Sequence, residues 1–463
     1  MKNGLIIFSA LLMLFSAAPA QQKEFIKGAD ISWLQEVEAG GGVFREQGSP
    51  KDALILLRKH GFNYARLRIW HTPVGGINDL AHTLAMAKRA KENGFKLLLD
   101  FHFSDWWADP GQQTIPAAWK GLTFLQLKDS VRQYVALVFS SMKKQGTLPE
   151  MVQFGNEIIC GMLWNEGNVC DTYNTVPQWT KLAELLTSAR AGMTDVIAAT
   201  DTVTVMIHID SGGNYTTSSW FFDNLTKYFT TFDVIGLSYY PWWHGTIAAM
   251  KDNVEKLSVR YGRPIVLAEI AYPFTLSWND NTANIVGSSG QLLAGYPATV
   301  DGQKKYLSDI LKTVRDIPLQ RGRGVFYWEP DGITAPSWSS AWENLALFGF
   351  DGEVLSSISA FEDSIATEVR PFQAVPTELS FHCYPNPFNP SATIVFTVPV
   401  RSQAIVTLYN SVGQFLGILH QSDAEPGREY RISLNGRNRA GGTYFIRLES
   451  GGQTRLMKAV LLK

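Results

Sequence analysis

Two glutamates end predicted β-strands, where their carboxyl groups could do acid–base chemistry. Glu157 ends the segment QFGNE, and Glu269 ends the segment VLAE. One carboxylic acid that protonates the leaving oxygen and one carboxylate across the sugar can hydrolyse a glycosidic bond without a cofactor. Asn156 is suited to bond a sugar 2-hydroxyl, and Arg68 and Tyr240 are suited to keep Glu269 ionised. The pattern indicates glycoside hydrolysis, and the alternative is that both glutamates belong to a structural ion-pair network.

Eight short β-branched runs must position these residues. Longer amphipathic segments separate the runs, which is the pattern of repeated βα units around a parallel sheet. The runs are Phe25–Ser32, Tyr64–Trp70, Lys96–Ser104, Met151–Ile158, Val203–Asp210, Asp233–Pro241, Pro264–Tyr272 and Gly324–Pro330. Eight such units predict an α/β fold of the (β/α)8 TIM-barrel type, with the catalytic domain at residues 21–370.

Polar and aromatic residues follow every predicted strand, at the end of the barrel where TIM-barrel enzymes place their chemistry. Tryptophans at these ends are suited to stack on sugar rings, although burial is the more usual fate of a single tryptophan. The further candidates for substrate binding are Asp30, His102, Asp105, Trp107, Asp109, His208, Tyr239, Trp243 and Trp328.

The pattern changes after Pro371. A proline-rich stretch over 371–378 predicts a linker, because Pro and the residue before it disfavour helix. Residues 379–463 then alternate apolar and polar side chains between Gly, Asn and Pro turns. Such alternation predicts a small antiparallel β-sandwich.

The N-terminal residues indicate the compartment of the protein, and its net charge indicates which partners are excluded. Residues 1–20 combine a basic start, an apolar stretch and Ala18-Pro19-Ala20, as in a secretory signal peptide, and no later stretch is long enough for a transmembrane span. The net charge of −1 argues against nucleic acid as a partner. We expect an exported monomer. Cys160 and Cys170 fit either a disulfide or two buried thiols, and Cys383 is left over.

The barrel resembles glycoside hydrolase family 53, the retaining endo-β-1,4-galactanases. The resemblance rests on KGADISWLQEVEAGG, YARLRIWHTP, DFHFSDWWADPGQQ, QFGNEIICGMLW, IGLSYYPWWHG, VLAEIAYPFT and FYWEP. It implies that Glu157 is the acid/base, that Glu269 is the nucleophile, and that no cofactor takes part in the chemistry. It also matches the supporting residues of the clan to Arg68, His102, Asn156, His208, Tyr240 and Trp328. The implied substrate is β-1,4-galactan of pectin.

Two further segments carry resemblances. Some bacterial family members bind calcium after strand seven, and here LSWNDNTANIVG keeps Asp280 and Asn284 as possible ligands, which could combine with Ser340 and Glu343 after strand eight. The alternative is a polar loop closed by Asx turns. The C-terminal region resembles a type IX secretion sorting domain through YPNPFNPSATIVFTVP and GTYFIRL, which implies the type IX machinery as a partner. A carbohydrate-binding sandwich is its alternative.

Three other functions fit parts of the sequence. The same fold could cut another β-linked polymer, such as mannan, xylan or glucan. A metal-dependent hydrolase could use His102, His208, Asp100 and Asp210, but strand one then lacks the expected His-x-His pair. A non-catalytic binding protein could keep the cleft without the reaction.

Overall fold

The computed structural model describes residues 24–362, 379–424, 430–437 and 439–463. The chain divides between residues 363 and 364 into two units, and each is described by itself. The predicted signal peptide at 1–20 and the predicted linker at 371–378 lie outside the described residues. Across the described residues, no helix is both long and apolar enough to cross a membrane.

Eight parallel strands of the first unit close into a barrel, which confirms the predicted fold. Each strand pairs with its neighbours in sequence, and β1 closes the barrel by pairing with both β2 and β8. The strands are β1 Ile26–Asp30, β2 Tyr64–Ile69, β3 Lys96–Phe101, β4 Met151–Phe154, β5 Thr204–Ile209, β6 Val234–Tyr239, β7 Ile265–Ile270 and β8 Gly322–Tyr327.

Strand β4 is shorter than the sequence predicts. It ends at Phe154, because Gly155 (φ +85°) and Glu157 (φ +48°) adopt left-handed conformations that turn the chain out of the sheet. Two further ladders of two-residue strands lie outside the barrel, at Arg45–Glu46 with Ser49–Pro50 and at Gly161–Met162 with Gly167–Asn168.

Helices pack around the barrel and are started by local caps. Asp52, Asp79, Thr123, Thr246 and Thr299 each accept a hydrogen bond from a backbone N–H in the first turn of the helix that follows. The helices are α1 Leu34–Ala39, α2 Ala53–Lys59, α3 Leu80–Glu92, α4 Phe124–Gln145, α5 Val176–Thr194, α6 Tyr215–Leu225, α7 Pro241–His244, α8 Ile247–Tyr261 and α9 Val300–Arg315.

The barrel interior has an apolar floor. Phe326 and Met206 fill it, and they can do so because Gly28 and Gly236 have no side chain: a Cβ on Gly28 would lie 2.1 Å from the Phe326 ring, and one on Gly236 2.7 Å from Met206 Sδ. One layer higher the inward residues become polar, because alternate residues of a strand face the same side. The floor therefore separates the polar end of the barrel from the opposite end.

The second unit has two antiparallel sheets over one core, as predicted. One sheet has the order β9-β10-β13 and the other β12-β11-β14-β15, and Ile394, Val406 and Ile446 from both sheets share the core. The strands are β9 Ser380–Tyr384, β10 Ser391–Thr397, β11 Ser402–Asn410, β12 Phe415–Ala424, β13 Tyr430–Asn435, β14 Gly442–Ser450 and β15 Gln453–Leu461. All fourteen tryptophans of the chain lie between Trp33 and Trp342, in the first unit.

Candidate active site

Glu157 and Glu269 face each other at the carboxyl end of the barrel. Glu269 lies within β7, and Glu157 follows β4 in a left-handed conformation (φ 48°, ψ 49°) that is unusual for a residue other than glycine. One carboxylate oxygen of each glutamate and one ring nitrogen of His208 lie within 4.8 Å of one another. This close approach matches the carboxyl spacing of retaining glycosidases, about 5–5.5 Å, better than the 6.5–9.5 Å of inverting ones.

Glu269 is held by a cation and a hydroxyl. Arg66 Nη1 donates to Oε1 at 2.8 Å, and Tyr240 Oη donates to Oε2 at 2.9 Å. Burial raises the pKa of Glu269, and the Arg66 guanidinium, followed by the Tyr240 hydroxyl, opposes that rise. These two donors favour the ionised carboxylate that a nucleophile needs.

Glu157 has different surroundings. Its Oε1 accepts a 2.6 Å hydrogen bond from Ser238 Oγ, and no salt bridge to it is found among the described residues. Burial, and then the charges of Glu269 and Asp210, raise the pKa of Glu157 well above its usual range. Glu157 therefore keeps its proton more readily than Glu269 does, as a general acid must.

Arg66 occupies the position that the sequence assigned to Arg68. The Arg66 guanidinium bonds Glu269, Asp30 (3.0 Å), Asp100 (2.8 Å) and the Asn156 side-chain oxygen (2.8 Å). The expectation that Arg68 holds Glu269 is therefore wrong.

The Arg68 side chain lies among indole rings instead. Its guanidinium carbon is 4.4 Å from the ring centre of Trp33 and 4.2 Å from that of Trp107. Trp70 and Trp328 each lie 5.5 Å away. The Arg68 guanidinium therefore has a cation–π environment and packs against these aromatic side chains.

A cleft of about 500 Å³ opens above the two glutamates. It is rich in aromatic side chains, as expected of a site that stacks on sugar rings. Six of the twelve residues predicted to bind substrate line it: Trp107, Asp109, Asn156, Tyr240, Trp243 and Trp328. Asn156 Nδ2 donates to Ala108 O at 2.8 Å and keeps a second N–H for a ligand.

The other six predicted residues are outside this lining, although all are among the described residues. Arg68 is caged by tryptophans, and His208 bonds Ser238 and Gln153 beneath the cleft. Asp30 accepts from Arg66 and from the Ser32 hydroxyl. Asp30 and His208 therefore already have hydrogen-bond partners, whereas Nη1 and Nη2 of Arg68 are buried without one.

His102, Asp105 and Tyr239 complete this group. His102 Nδ1 accepts from Trp70 Nε1 (3.3 Å) and Ala108 N (3.1 Å), while its Nε2 faces Asp100 at 3.1 Å. Asp105 accepts from the backbone N–H groups of residues 72 and 117, which fixes its loop. Tyr239 Oη donates to Gly245 O at 2.8 Å. All three side chains thus contact neighbouring side chains or loop backbone.

Several site residues were missing from the set predicted by sequence. Ser238, Gln153 and Arg66 face the polar interior because each lies two residues along its strand from another inward residue. Their alternation was the available signal. Asp210, named only for the metal-dependent alternative, and Trp342 line the cleft from loops, and His244 lines it from the end of the short helix α7, where strand alternation gives no guide.

The predicted calcium loop contains one orphan oxygen. Asn284 Oδ1 is buried without a hydrogen-bond partner, while Asp280 accepts from Thr282 N, Ser340 N and the Thr334 hydroxyl. The Thr334 hydroxyl also contacts Glu343. Oxygen-rich surroundings of this kind suit calcium, yet both Asp280 oxygens already accept hydrogen bonds from the chain, as in a loop closed by Asx turns.

Two buried acids lie beside the site. Glu329 and Asp331 follow β8, and both Asp331 oxygens are buried without a hydrogen-bond partner. Burial is the largest cause that raises the pKa of each to about 8, and the Arg68 charge opposes it. Both groups are therefore protonated at neutral pH, which removes the cost of burying their charge.

A disulfide fastens the loop after Glu157. Cys160 and Cys170 are joined, with their Cα atoms 5.0 Å apart, and Trp164 Nε1 within the closed loop donates to Cys160 O at 2.9 Å. Of the two options left open by the sequence, the structure has the disulfide. Cys383 is a free cysteine.

Comparisons with known proteins agree with this site. The profile of glycosyl hydrolase family 53 matches residues 26–361, and that of the secretion system C-terminal sorting domain matches residues 382–463. Type IX secretion through such a domain carries the chain to the cell surface or into the extracellular space.

Similar proteins cover the barrel almost completely. An uncharacterized protein in the bgaB 5′ region of Niallia circulans is 44% identical over 76% of this chain and 97% of its own length. An endo-beta-1,4-galactanase of Bacillus subtilis is 32% identical over 73% of this chain and 86% of its own length. The solved GH53 catalytic domain of Ignisphaera aggregans has a TM-score of 0.68 and 35% identity, over 74% of this chain and 97% of that one. The chain therefore belongs to glycosyl hydrolase family 53, and it ends in a secretion system C-terminal sorting domain.

Proposed function

We propose that the barrel cleaves β-1,4-galactosidic bonds inside galactan, with retention of configuration. The observation that carries the proposal is the close pair of unlike carboxyl groups, Glu157 and Glu269, within 4.8 Å through their nearest oxygens. One has a cation against it and the other does not, which separates a nucleophile from an acid. The names of the galactanase relatives support galactan as the polymer.

Two displacements make up the reaction. A Glu269 oxygen attacks the anomeric carbon while Glu157 gives its proton to the glycosidic oxygen, so the C–O bond breaks and the shortened chain leaves. Water then attacks the anomeric carbon of the glycosyl-enzyme. Glu157 takes a proton from that water, and the bond to Glu269 breaks. Each carboxyl group returns to its starting state, and no cofactor enters the balance.

Two features support internal cutting of a chain. The cleft has aromatic side chains from two parts of the barrel mouth: Trp107, half-buried, after β3 and Trp243, 59% exposed, after β6. Indole faces at two places in one cleft suit a polymer that extends beyond the reacting bond.

The contacts of the proposed metal ligands support the metal-dependent alternative less well. Of its four residues, both ring nitrogens of His102 and of His208 have partners within the chain, and Asp100 is paired with Arg66. A guanidinium beside a carboxylate competes with a metal ion for the same oxygens. The glycosidase assignment uses the same residues without displacing these contacts.

The test is product analysis of the purified full chain on linear β-1,4-galactan, with Glu269→Ala and Glu157→Ala as a matched pair. Wild type should release short galacto-oligosaccharides and leave mannan, xylan and glucan intact. With azide and an activated aryl glycoside, Glu269→Ala should yield a glycosyl azide of inverted configuration and Glu157→Ala one of retained configuration. Turnover of another polymer alone would contradict the galactan assignment, and no turnover of any polymer would favour a binding protein.

Calcium binding by Asp280 and Asn284 is a further part of the proposal. The buried, unpartnered Asn284 oxygen supports it. If calcium binds, the melting temperature of the full chain should rise with calcium and fall with EDTA, and Asn284→Ala should abolish the difference. An unchanged melting temperature would favour the loop closed by its own hydrogen bonds.

The chain boundaries complete the proposal. Residues 1–20 are removed as a signal peptide, residues 21–370 form the catalytic domain, residues 371–378 link it to the sorting domain at 379–463, and the enzyme is a monomer. Mass spectrometry of the exported protein and light scattering would test these assignments. A mature N-terminus away from Gln21, or a dimer mass, would contradict them.

A further inference from the structure

Ser238 connects the general acid to a buried histidine. It lies on β6, is fully buried, and its Oγ lies 2.6 Å from Glu157 Oε1 and 2.9 Å from His208 Nε2. The hydroxyl has a single hydrogen, so it can donate to only one of these two atoms. The direction of the hydrogen bonds therefore decides what Ser238 does to Glu157.

The surroundings of His208 fix that direction. Its Nδ1 faces two N–H donors, the Gln153 amide at 3.0 Å, which also lies 3.2 Å from Gly155 O, and the backbone N–H of Glu157 at 3.4 Å. The Asn156 side-chain oxygen is also near, at 3.1 Å, but it already accepts from Arg66 and from Gln153. Nδ1 of the neutral ring is thus the acceptor, and the hydrogen lies on Nε2.

A one-way chain of donors follows from this tautomer. His208 Nε2–H donates to Ser238 Oγ, and Ser238 Oγ–H donates to Glu157 Oε1. An oxygen that accepts this hydrogen bond is a poor place for the acidic proton of the same carboxyl group, so the proton belongs on Oε2. Once Glu157 has given its proton away, the Ser238 hydrogen bond also stabilises the carboxylate.

We propose that Ser238 is a positioning residue that places the acidic proton of Glu157 on Oε2, and that His208 orients Ser238 for this task. The inference rests on the proposed function of Glu157 as the general acid. Ser238 does not line the cleft, so it acts through Glu157 and not on the substrate. Its loss should weaken acid catalysis and leave attack by Glu269 unchanged.

The test compares Ser238→Ala with Ser238→Thr, which keeps a hydroxyl, and with Ser258→Ala as a matched control. Ser258 is equally buried, but its hydroxyl bonds the backbone of α8 at Glu255. For Ser238→Ala we expect kcat on galactan to fall roughly ten- to a hundredfold, because part of the general-acid contribution is lost. The alkaline limb of kcat/KM should move up by about one pH unit, since a hydrogen bond to the ionised form is missing.

Leaving groups separate the proposed role from a structural one. A 2,4-dinitrophenyl β-galactobioside does not need protonation, so Ser238→Ala should form the glycosyl-enzyme from it at the wild-type rate. Ser238→Thr should recover galactan activity, and Ser258→Ala should match wild type throughout. Equal losses on both substrates, or an unmoved alkaline limb, would overturn the proposal. If wild type itself leaves galactan intact, the proposed function fails instead.

A measurement without turnover covers the case in which Ser238→Ala does not fold. Nitrogen-15 NMR of the full wild-type chain, labelled at histidine, distinguishes the two neutral tautomers, and the His208 signals are assigned by their loss in His208→Gln. The Nε2–H tautomer is expected. The Nδ1–H tautomer would reverse the chain of donors and overturn the proposal.

Discussion

Arg66 and Arg68 lie two residues apart on β2, and their side chains have opposite surroundings. Arg66 bonds three carboxylates, Asp30, Asp100 and Glu269, whereas the Arg68 guanidinium lies between indole rings. Both are buried. Arg66 thus favours the ionised form of the reacting carboxylate, and Arg68 packs against Trp107, which lines the cleft.

Removal of Arg66 should damage both stability and chemistry. In Arg66→Lys, a single ammonium replaces a fork that reaches three carboxylates, so buried charge is left uncompensated. We expect the free energy of unfolding to fall by about 3–5 kcal/mol and kcat to fall with it. Urea unfolding and galactan kinetics measure the two effects.

Arg132→Lys is the control for this substitution. Its pair with Asp195 is exposed, so a much smaller change in the free energy of unfolding is expected. Equal effects of the two substitutions would contradict a special role for Arg66.

Loss of Arg68 should affect substrate affinity more than turnover. Arg68→Met keeps the length of the side chain but removes the cation between Trp33 and Trp107, and Trp107 lines the cleft. We expect KM for galactan to rise several-fold, with a smaller change in kcat. Arg263→Met is matched, because Arg263 lies 4.1 Å from the Phe232 ring and away from the cleft. A fall in kcat alone would refute the assignment of Arg68 as a support for Trp107 in the cleft.

The buried acid Asp331 should make stability fall as pH rises. Its pKa is raised to about 8, so between about pH 4 and pH 8 the unfolded chain loses a proton that the folded chain keeps. Above pH 8 both states are ionised and the dependence ends. Asp331→Asn removes this proton exchange, so its unfolding free energy relative to wild type should rise by about 1.4 kcal/mol per pH unit between pH 5 and 7.

Urea unfolding at pH 5, 6 and 7 measures this slope. The difference from wild type isolates Asp331 from the histidines, whose lowered pKa values act in the opposite direction over part of the same range. Asp252→Asn removes an exposed carboxyl group paired with Lys256 and is the matched control for the substitution itself. A flat difference for Asp331→Asn would show that Asp331 is ionised in the folded protein.

Removal of the disulfide should destabilise the barrel. Cys160 and Cys170 are separated by ten residues, and a loop of that size contributes about 3 kcal/mol in the chain-entropy account. The double variant Cys160→Ser/Cys170→Ser should unfold at lower urea, as should reduced wild type. Cys383→Ser, which removes the free thiol, is the control. The prediction would be contradicted if the double variant and reduced wild type unfolded at the same urea concentration as oxidised wild type.

Much of the site was predictable because strand alternation and strand ends are visible in sequence. All eight barrel strands, both glutamates and the contact between Tyr240 and Glu269 follow from these two patterns. These patterns do not show which arginine contacts Glu269, because alternation turns both Arg66 and Arg68 inward. The choice depends on the stagger between strands: β1 and β2 pair with Asp30 opposite Arg66, and no property of either residue alone encodes that offset.

Residues at strand ends and in the following loops were less predictable for a related reason. Asp105 and Tyr239 have residue types that suit sugar binding, but Asp105 accepts from backbone N–H groups of two loop segments, and Tyr239, at the end of β6, donates to Gly245 O. Ser238 shows the converse, because an unremarkable residue type becomes important through its two neighbours, Glu157 and His208. Side-chain partners of this kind depend on contacts between residues distant in sequence.

The placement of every tryptophan in the first unit gives the chain a built-in optical label. Indole fluorescence excited near the red edge of protein absorption reports on the barrel alone, even in the full-length protein. The sorting domain contains no tryptophan, so it contributes no indole emission to that signal. The stability of the catalytic unit can thus be followed in the exported enzyme without separating the two units.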